Sequence, residues 1–320
     1  MNGSQLSQRN EPVKIASIDL GTNTALLLIA RVEKDKVIPL HNAQIILRLG
    51  RNIDASGLIQ KEVFDKVLNA IIEFKATAEN FNVDKIIAIG TSALRDAKNG
   101  DQLIEFIYQK TGIKIRVISG EEEARLTYFG AVSGLDHKIL NSKITVIDIG
   151  GGSTEIINGL GFEIKNLASL NIGTVRITEK FFKHFPPLEE EIKYARDFIN
   201  NEFEKINDKF DFADSTLVGV AATVTTIAAY DLRLETYDGE KVNMHEMRFE
   251  TIDEIYNKFK KLSIDEIKKI PQISKGREDV IFAGILILRD FMKKFKFDRI
   301  IASDRGVRYG AILELQRIKF

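Results

Sequence analysis

The chain has no cysteine and no tryptophan, and only five prolines and four histidines among its 320 residues. Without cysteine there can be no disulfide, no thiolate metal site and no cysteine nucleophile, which suits a reducing, cytoplasmic compartment. His41, His137, His184 and His245 are too scattered for a zinc site. Charge of one sign is also missing: 46 Lys and Arg cancel 46 Asp and Glu, so no global field holds a nucleic acid or a membrane surface, and a polyanion must be gripped locally. No long apolar run occurs. Val280 to Leu288 is interrupted by Gly284 and far short of the ~20 residues that span a bilayer, so it reads as a buried core helix. Met1 to Glu11 is polar and lacks the apolar core of a signal peptide.

What is present is an ordinary globular composition, 44% hydrophobic and 29% charged, at a length that fits two domains of about 100–200 residues each. The division expected is 1–136 and 137–320, with residues 1–12 as a leader. In the first part, apolar runs at Lys14–Leu20, Thr24–Val32 and Lys36–Leu47 form a strand meander, and apolar residues at helical spacing run from Lys61 to Phe81. The second part restarts the programme with Ile144–Ile149, Thr154–Asn158 and Phe162–Ser169. A helix is expected at Thr223–Tyr230, and residues Asp136 to Ser142, without periodicity, mark the junction.

Each repeat ends its first strand in an aspartate, followed by a glycine-bearing, hydroxyl-rich turn: Asp19-Leu20-Gly21-Thr22-Asn23-Thr24 and Asp148-Ile149-Gly150-Gly151-Gly152-Ser153-Thr154. Glycine lets successive N–H groups converge on one anion, and Ser or Thr adds donors. A carboxylate cannot bind phosphate directly, so its place there implies a bridging cation. One such turn could be a plain hairpin, but two at an offset of 129 positions are harder to dismiss. Neither a P-loop nor a Gly-x-Gly-x-x-Gly fingerprint occurs. In strand Ser153 to Ile157, alternation puts Glu155 on the face of Ser153. Ser119 and Glu122 fit a capping box ahead of the helix from Gly120.

These motifs, with Gly90-Thr91-Ser92-Ala93-Leu94-Arg95, Ser119-Gly120-Glu121-Glu122-Glu123-Ala124-Arg125, Gly173-Thr174-Val175-Arg176, Gly276-Arg277-Glu278-Asp279 and Ser303 to Gly310, resemble the exopolyphosphatase/guanosine pentaphosphate phosphatase family in its short two-domain form. The resemblance implies an α/β fold of two tandem ribonuclease-H-like domains, the superfold of actin, Hsp70 and sugar kinases, with the active site in an interdomain cleft. It implies Glu123 as general base. Asp148 and Glu155 are then the Mg²⁺ ligands, with Asp19 as a third candidate and Mn²⁺ as the alternative ion. Arg95 and Arg277 contact phosphate, and Gly21, Thr22, Asn23, Thr24, Thr91, Gly150, Gly151, Gly152, Ser153 and Thr154 bind it. A homodimer is implied too.

The reading that follows is hydrolysis of the terminal phosphate of inorganic polyphosphate, with pppGpp as the alternative substrate. Lys275, Arg277, Arg305 and Arg308 are candidate contacts along a polyphosphate chain. A kinase of the same superfold is a second class, and a nucleotide-gated interaction protein a third. Two departures from the family pattern stand out. Leu26-Leu27-Leu28 replaces a strand in which arginine is common, and Gly219-Val220-Ala221-Ala222-Thr223 matches a loop usually richer in glycine, so that Ala222 would tighten a pocket there.

Overall fold

The structure, a computed structural model, describes residues 12–33 and 36–315. The expected leader, apart from Pro12, lies outside the described residues. Chain packing divides the molecule into two units, one running to Ser133 and resuming at Val307, the other Gly134–Gly306.

Unit 1 opens with β1 (Val13–Leu20), β2 (Thr24–Glu33) and β3 (Lys36–Ile46), then α1 (Ile53–Ser56), α2 (Lys61–Asn80), β4 (Lys85–Gly90), α3 (Ser92–Asp96), α4 (Gly100–Thr111), β5 (Ile115–Val117) and α5 (Gly120–Val132). Its sheet has the order β3-β2-β1-β4-β5, antiparallel across β1–β2 and β2–β3 and parallel across β1–β4 and β4–β5. The apolar stripe of α2 (Val67, Ala70, Ile71, Phe74, Ala78) packs with Ala16, Ile18 and Leu20 on one face of that sheet. Strand alternation sends Val13, Ile15, Ser17 and Asp19 to the other face.

Unit 2 contains α6 (His137–Leu140), β6 (Lys143–Ile149), β7 (Thr154–Leu160), β8 (Glu163–Leu170), α7 (Thr174–Phe181), α8 (Glu189–Asn207), β9 (Thr216–Val220), α9 (Ala221–Asp231), α10 (Gly239–Val242), β10 (Glu246–Arg248), α11 (Phe249–Phe259), α12 (Ile264–Ile267), α13 (Ile281–Phe295) and β11 (Arg299–Ala302). The order β10-β11-β9-β6-β7-β8 repeats the first sheet and adds β10 at the edge. Both sheets are therefore the mixed, helix-covered sheets of the ribonuclease-H-like superfold. The apolar run at Val280–Leu288 lies in the buried helix α13, as expected. Among the described residues no helix is long and apolar enough to cross a membrane.

The last helix, α14 (Val307–Leu315), returns to unit 1. Tyr309, Ile312 and Leu313 pack on Val13, Ile15 and Leu28, while Val307 and Ala311 pack on Ile89, Ile118 and Leu126. A division at 136/137 that leaves the whole C-terminal part in the second domain is thus corrected at both ends. The boundary falls at Ser133/Gly134, and the apolar face of α14 is buried against the first sheet. The segment expected to be an unstructured junction holds α6, capped by Asp136, whose side chain accepts from Ile139 N–H at 2.9 Å.

Candidate active site

The glycine-bearing turns are structurally equivalent. In the first, Gly21 N–H donates to the Thr24 carbonyl at 3.1 Å; in the second, Gly150 N–H donates to the Ser153 carbonyl at 3.0 Å. Further carbonyls of each turn are clamped from outside. Leu47 and Arg48 N–H donate to the Asn23 carbonyl (2.9 Å each), and Gly50 N–H to that of Thr22 (2.7 Å). In unit 2 the first turn of α7 does the same work. Thr174 N–H reaches the Gly150 carbonyl (2.9 Å), Val175 and Arg176 N–H the Gly151 carbonyl (2.8 and 3.2 Å), and Arg176 Nε the Gly152 carbonyl (2.9 Å).

The clamps have a consequence for the opposite edge of each peptide. With carbonyls held on one side, the N–H groups face the other, and among the described residues no acceptor meets those of Thr22, Asn23, Gly151, Gly152 or Ser153. Successive unpaired N–H groups in a turn form an anion-binding nest. In the first turn two buried side-chain atoms, Asn23 Nδ2 and Thr24 Oγ1, also lack a partner. Two glycines permit the close approach. A Cβ on Gly50 would stand 2.1 Å from Thr22 Cγ2, and one on Gly173 would stand 2.4 Å from the Gly151 carbonyl oxygen. Sequence reasoning quoted Gly173 within a motif without giving it a role, and missed Gly50. Both lie far along the chain from the turns they support.

The two turns differ in what stands opposite the aspartate. Asp19 pairs across the strands with Leu26, whereas Asp148 pairs with Glu155. Asp148 is 9% and Glu155 1% exposed. Two carboxylates directly opposite in a strand pair repel, and burial raises the cost unless a cation or donors compensate. Ser169 Oγ donates to Glu155 at 2.7 Å. Two carboxylates beside a phosphate nest suit Mg²⁺, which takes few protein ligands and keeps water and phosphate oxygens. Among the described residues no group of three or more His, Cys, Asp or Glu forms a full protein cage. Asp148 and Glu155 could therefore hold the ion. Asp19 has no second carboxylate across the strand.

Glu123 lies in the first turn of α5, whose cap Ser119 accepts from Glu122 N–H at 3.1 Å. The expected capping box is only half formed, because the Glu122 carboxylate pairs with Arg116 instead. Arg95, at the end of α3, donates from Nη1 to Glu123 Oε2 at 3.2 Å, so two residues proposed separately are brought together. Thr91 N–H is spent on the Leu20 carbonyl (3.2 Å). Thr154, expected to bind phosphate, instead donates its hydroxyl to the Ile172 carbonyl at 2.6 Å on the opposite face from Glu155. It ties β7 to the segment entering α7.

Arg277 occupies the turn before α13 and lies outside the helix proper, its carbonyl accepting from Val280 and Ile281 N–H at 3.1 and 3.0 Å. It is 6% exposed, and no described residue pairs with its guanidinium, whose Nε is sealed. Burial alone pulls its pKa well below the ordinary arginine value, down to about 10. The contrast is Asp290, equally buried, which is held by Arg196 and Arg289 at 3.0 Å each. Of the other candidate cations, Lys275 is exposed, and Arg308 Nη1 is occupied by the Leu27 carbonyl (3.0 Å) and Asn42 (2.9 Å), which makes it a strut between α14 and the meander. In the Gly219–Thr223 segment Ala221 takes a positive φ of +63°.

Comparison with known proteins identifies the family. The profile of the Ppx/GppA phosphatase family matches residues 28–317. The chain is 36% identical over 310 residues to the bifunctional 3-dehydroquinate synthase/phosphatase of Fusobacterium nucleatum, covering 93% of this chain but only 46% of that protein. It is 27% identical over 316 residues to exopolyphosphatase 2 of Mycobacterium tuberculosis, with 94% and 98% covered. The crystal structure of the Aquifex aeolicus Ppx/GppA family member superposes with a TM-score of 0.80 at 32% identity, covering 95% of this chain and 97% of that one. With outward-facing N–H groups, a carboxylate pair and a family profile along most of its length, the chain belongs to the Ppx/GppA phosphatase family, hydrolases of phosphoanhydride bonds.

Proposed function

We propose that the chain is a Mg²⁺-dependent exopolyphosphatase that releases the terminal phosphate of inorganic polyphosphate. The observation that carries the reading is the run of N–H groups from Gly151 to Ser153, turned away from their clamped carbonyls, at the end of a strand pair bearing Asp148 and Glu155. Phosphoryl transfer asks mainly for positioning and for positive charge around the equatorial oxygens. Each nest offers neutral donors, and Arg277 offers a cation that pairs with no anion among the described residues. Mg²⁺, held by Asp148 and Glu155, would polarise the phosphoryl oxygens.

Glu123 takes a proton from the attacking water. The water oxygen bonds to the terminal phosphorus, the bridging P–O bond breaks, and the shortened polyphosphate leaves with the negative charge. The helix N-terminus and Arg95 both favour the ionised form of Glu123 that this step needs. A homodimer and a cytoplasmic location are proposed with this reading, from the family resemblance.

The test is phosphate release from polyphosphate, pppGpp and ATP, with Mg²⁺ and with chelator, for wild type and Glu123→Gln. Polyphosphate should be cleaved only with the metal, and the variant should lose on the order of 10²–10⁴ in kcat. Preferential release from pppGpp would reassign the substrate within the same chemistry. Full activity of Glu123→Gln would remove the general base, and turnover requiring an acceptor alcohol would make the protein a kinase.

A further inference from the structure

The family resemblance implies different tasks for Arg95 and Glu123, the one at the phosphate and the other at the water, yet the structure joins them. Arg95 Nη1 donates to the Ile118 carbonyl at 2.9 Å as well as to Glu123 Oε2 at 3.2 Å. Ile118 directly precedes Ser119, the cap of α5, so the guanidinium is moored to the backbone that delivers the helix and to the carboxylate in its first turn. The side chains are only 26% and 12% exposed. A charge pair so placed is screened less than a surface pair.

The other charged side chains of the elements packed here have partners of their own or stand exposed. On α5, Glu121 is exposed, Glu122 pairs with Arg116, and Arg125 pairs with Glu314. From α14, Glu314 also takes Arg116, and Arg308 holds the Leu27 carbonyl and Asn42. On α3, Asp96 Oδ1 stands 3.9 Å from Arg95 Nε, and on β1 Asp19 lies on the face of the sheet covered by α5 and α14. Arg116, Arg125 and Arg308 thus each have partners of their own.

We propose that Arg95 is a positioning residue for Glu123: its Nη1, moored to the Ile118 carbonyl, fixes Oε2 and with it the orientation of the carboxylate that receives the proton of the attacking water. The proposal rests on the reading of Glu123 as the base. It differs from a direct phosphate contact in what its loss would do. A phosphate ligand sets KM and transition-state charge, whereas a positioning cation sets the pH at which the base becomes competent.

The experiment measures kcat and KM against pH for wild type, Arg95→Lys and Arg95→Gln, with polyphosphate and Mg²⁺, after thermal denaturation has established that each variant is folded. An opposite charge at this distance lowers a carboxylate pKa by about 1–3 units, so Arg95→Gln should move the acidic limb of kcat upward by about one unit or more while KM changes less than about threefold. Arg95→Lys should keep the limb near that of wild type. A KM raised tenfold or more with an unmoved limb would make Arg95 a phosphate ligand and overturn the proposal. A second readout separates this failure from that of the base itself. The carboxyl titration of Glu123 in ¹³C-glutamate-labelled protein, assigned by its loss in Glu123→Gln, should have a higher midpoint in Arg95→Gln. An unchanged midpoint refutes control by Arg95 even if Glu123 is the base, and a fully active Glu123→Gln refutes the base whatever the midpoint does.

Discussion

Substitution of Gly173 by alanine would test the nest architecture at a point that touches no ligand. Gly173 caps α7 at φ −151° and ψ 165°, an extended conformation open to any residue, so alanine brings no backbone strain of its own. The problem is space. Its Cβ would lie 2.4 Å from the Gly151 oxygen, 2.5 Å from the Gly151 carbonyl carbon and 2.6 Å from that of Gly152. Relaxed contacts are about 3.5 Å, so α7 and the turn must separate by about 1 Å. The obstructing atoms are backbone, tied at both ends by β6 and β7, and cannot rotate away. Separation stretches the bonds from Thr174, Val175 and Arg176 N–H that hold the carbonyls inward. Overpacking of this kind costs about 1–3 kcal/mol, and a displacement of about 1 Å at a binding element can cost about 10²-fold in rate. Initial rates of phosphate release with denaturant unfolding curves read both. Gly306→Ala is the control, since nothing lies within 4 Å of its Cβ position, and it should stay within about 0.5 kcal/mol of wild type. Wild-type rate and stability in Gly173→Ala would refute the reasoning.

Three further outcomes follow from the same geometry. Arg277 is held down to about 10 by burial, so the unfolded chain binds its proton more tightly; the penalty is complete below that pH and relieved only as pH rises above it toward the ordinary arginine range. Arg277→Met should therefore raise stability without ligand at neutral pH, by about 1–3 kcal/mol, while abolishing the rise in Tm that tripolyphosphate produces in wild type. Ala221→Gly, which relieves a non-glycine residue at φ +63°, should gain about 0.5–1 kcal/mol in denaturant unfolding. Thr154→Val, which removes the bond to Ile172, should cost about 1 kcal/mol of stability and leave KM within about twofold, as expected of a tether that does not donate to phosphate.

The parts legible in the sequence were those encoded by neighbours. Strand, aspartate, glycine turn and second strand are consecutive in both repeats, and the offset of 129 places Gly21 and Thr24 on Gly150 and Ser153, the pairs that make the matching hydrogen bonds. The facing of Glu155 with Ser153 follows from the period of a strand, and the register opposite Asp148 agrees with it. What was illegible depends on distant chain. The carbonyl clamps come from residues 47–50 and 174–176, and nothing in the turns announces them. The return of α14 to unit 1 is a matter of which apolar face it meets, and the periodicity of a helix carries no address. The short elements α1, α3, α10, α12 and β10 span at most five residues, too few for a period to register. Thr154 and Arg308 have side chains suited to phosphate, and only the structure reveals that nearer backbone carbonyls take them.

The central claim is that the clamped turns present their N–H groups to phosphate. It is tested most directly by amide NMR of ¹⁵N-labelled protein titrated with a non-hydrolysable methylene-bridged triphosphate in the presence of Mg²⁺. The amide resonances of Gly151, Gly152 and Ser153, with those of Thr22 and Asn23, should shift downfield together, while those of Gly21 and Gly150, already bonded within their turns, should move little. Saturable binding with those five resonances unmoved would contradict the account.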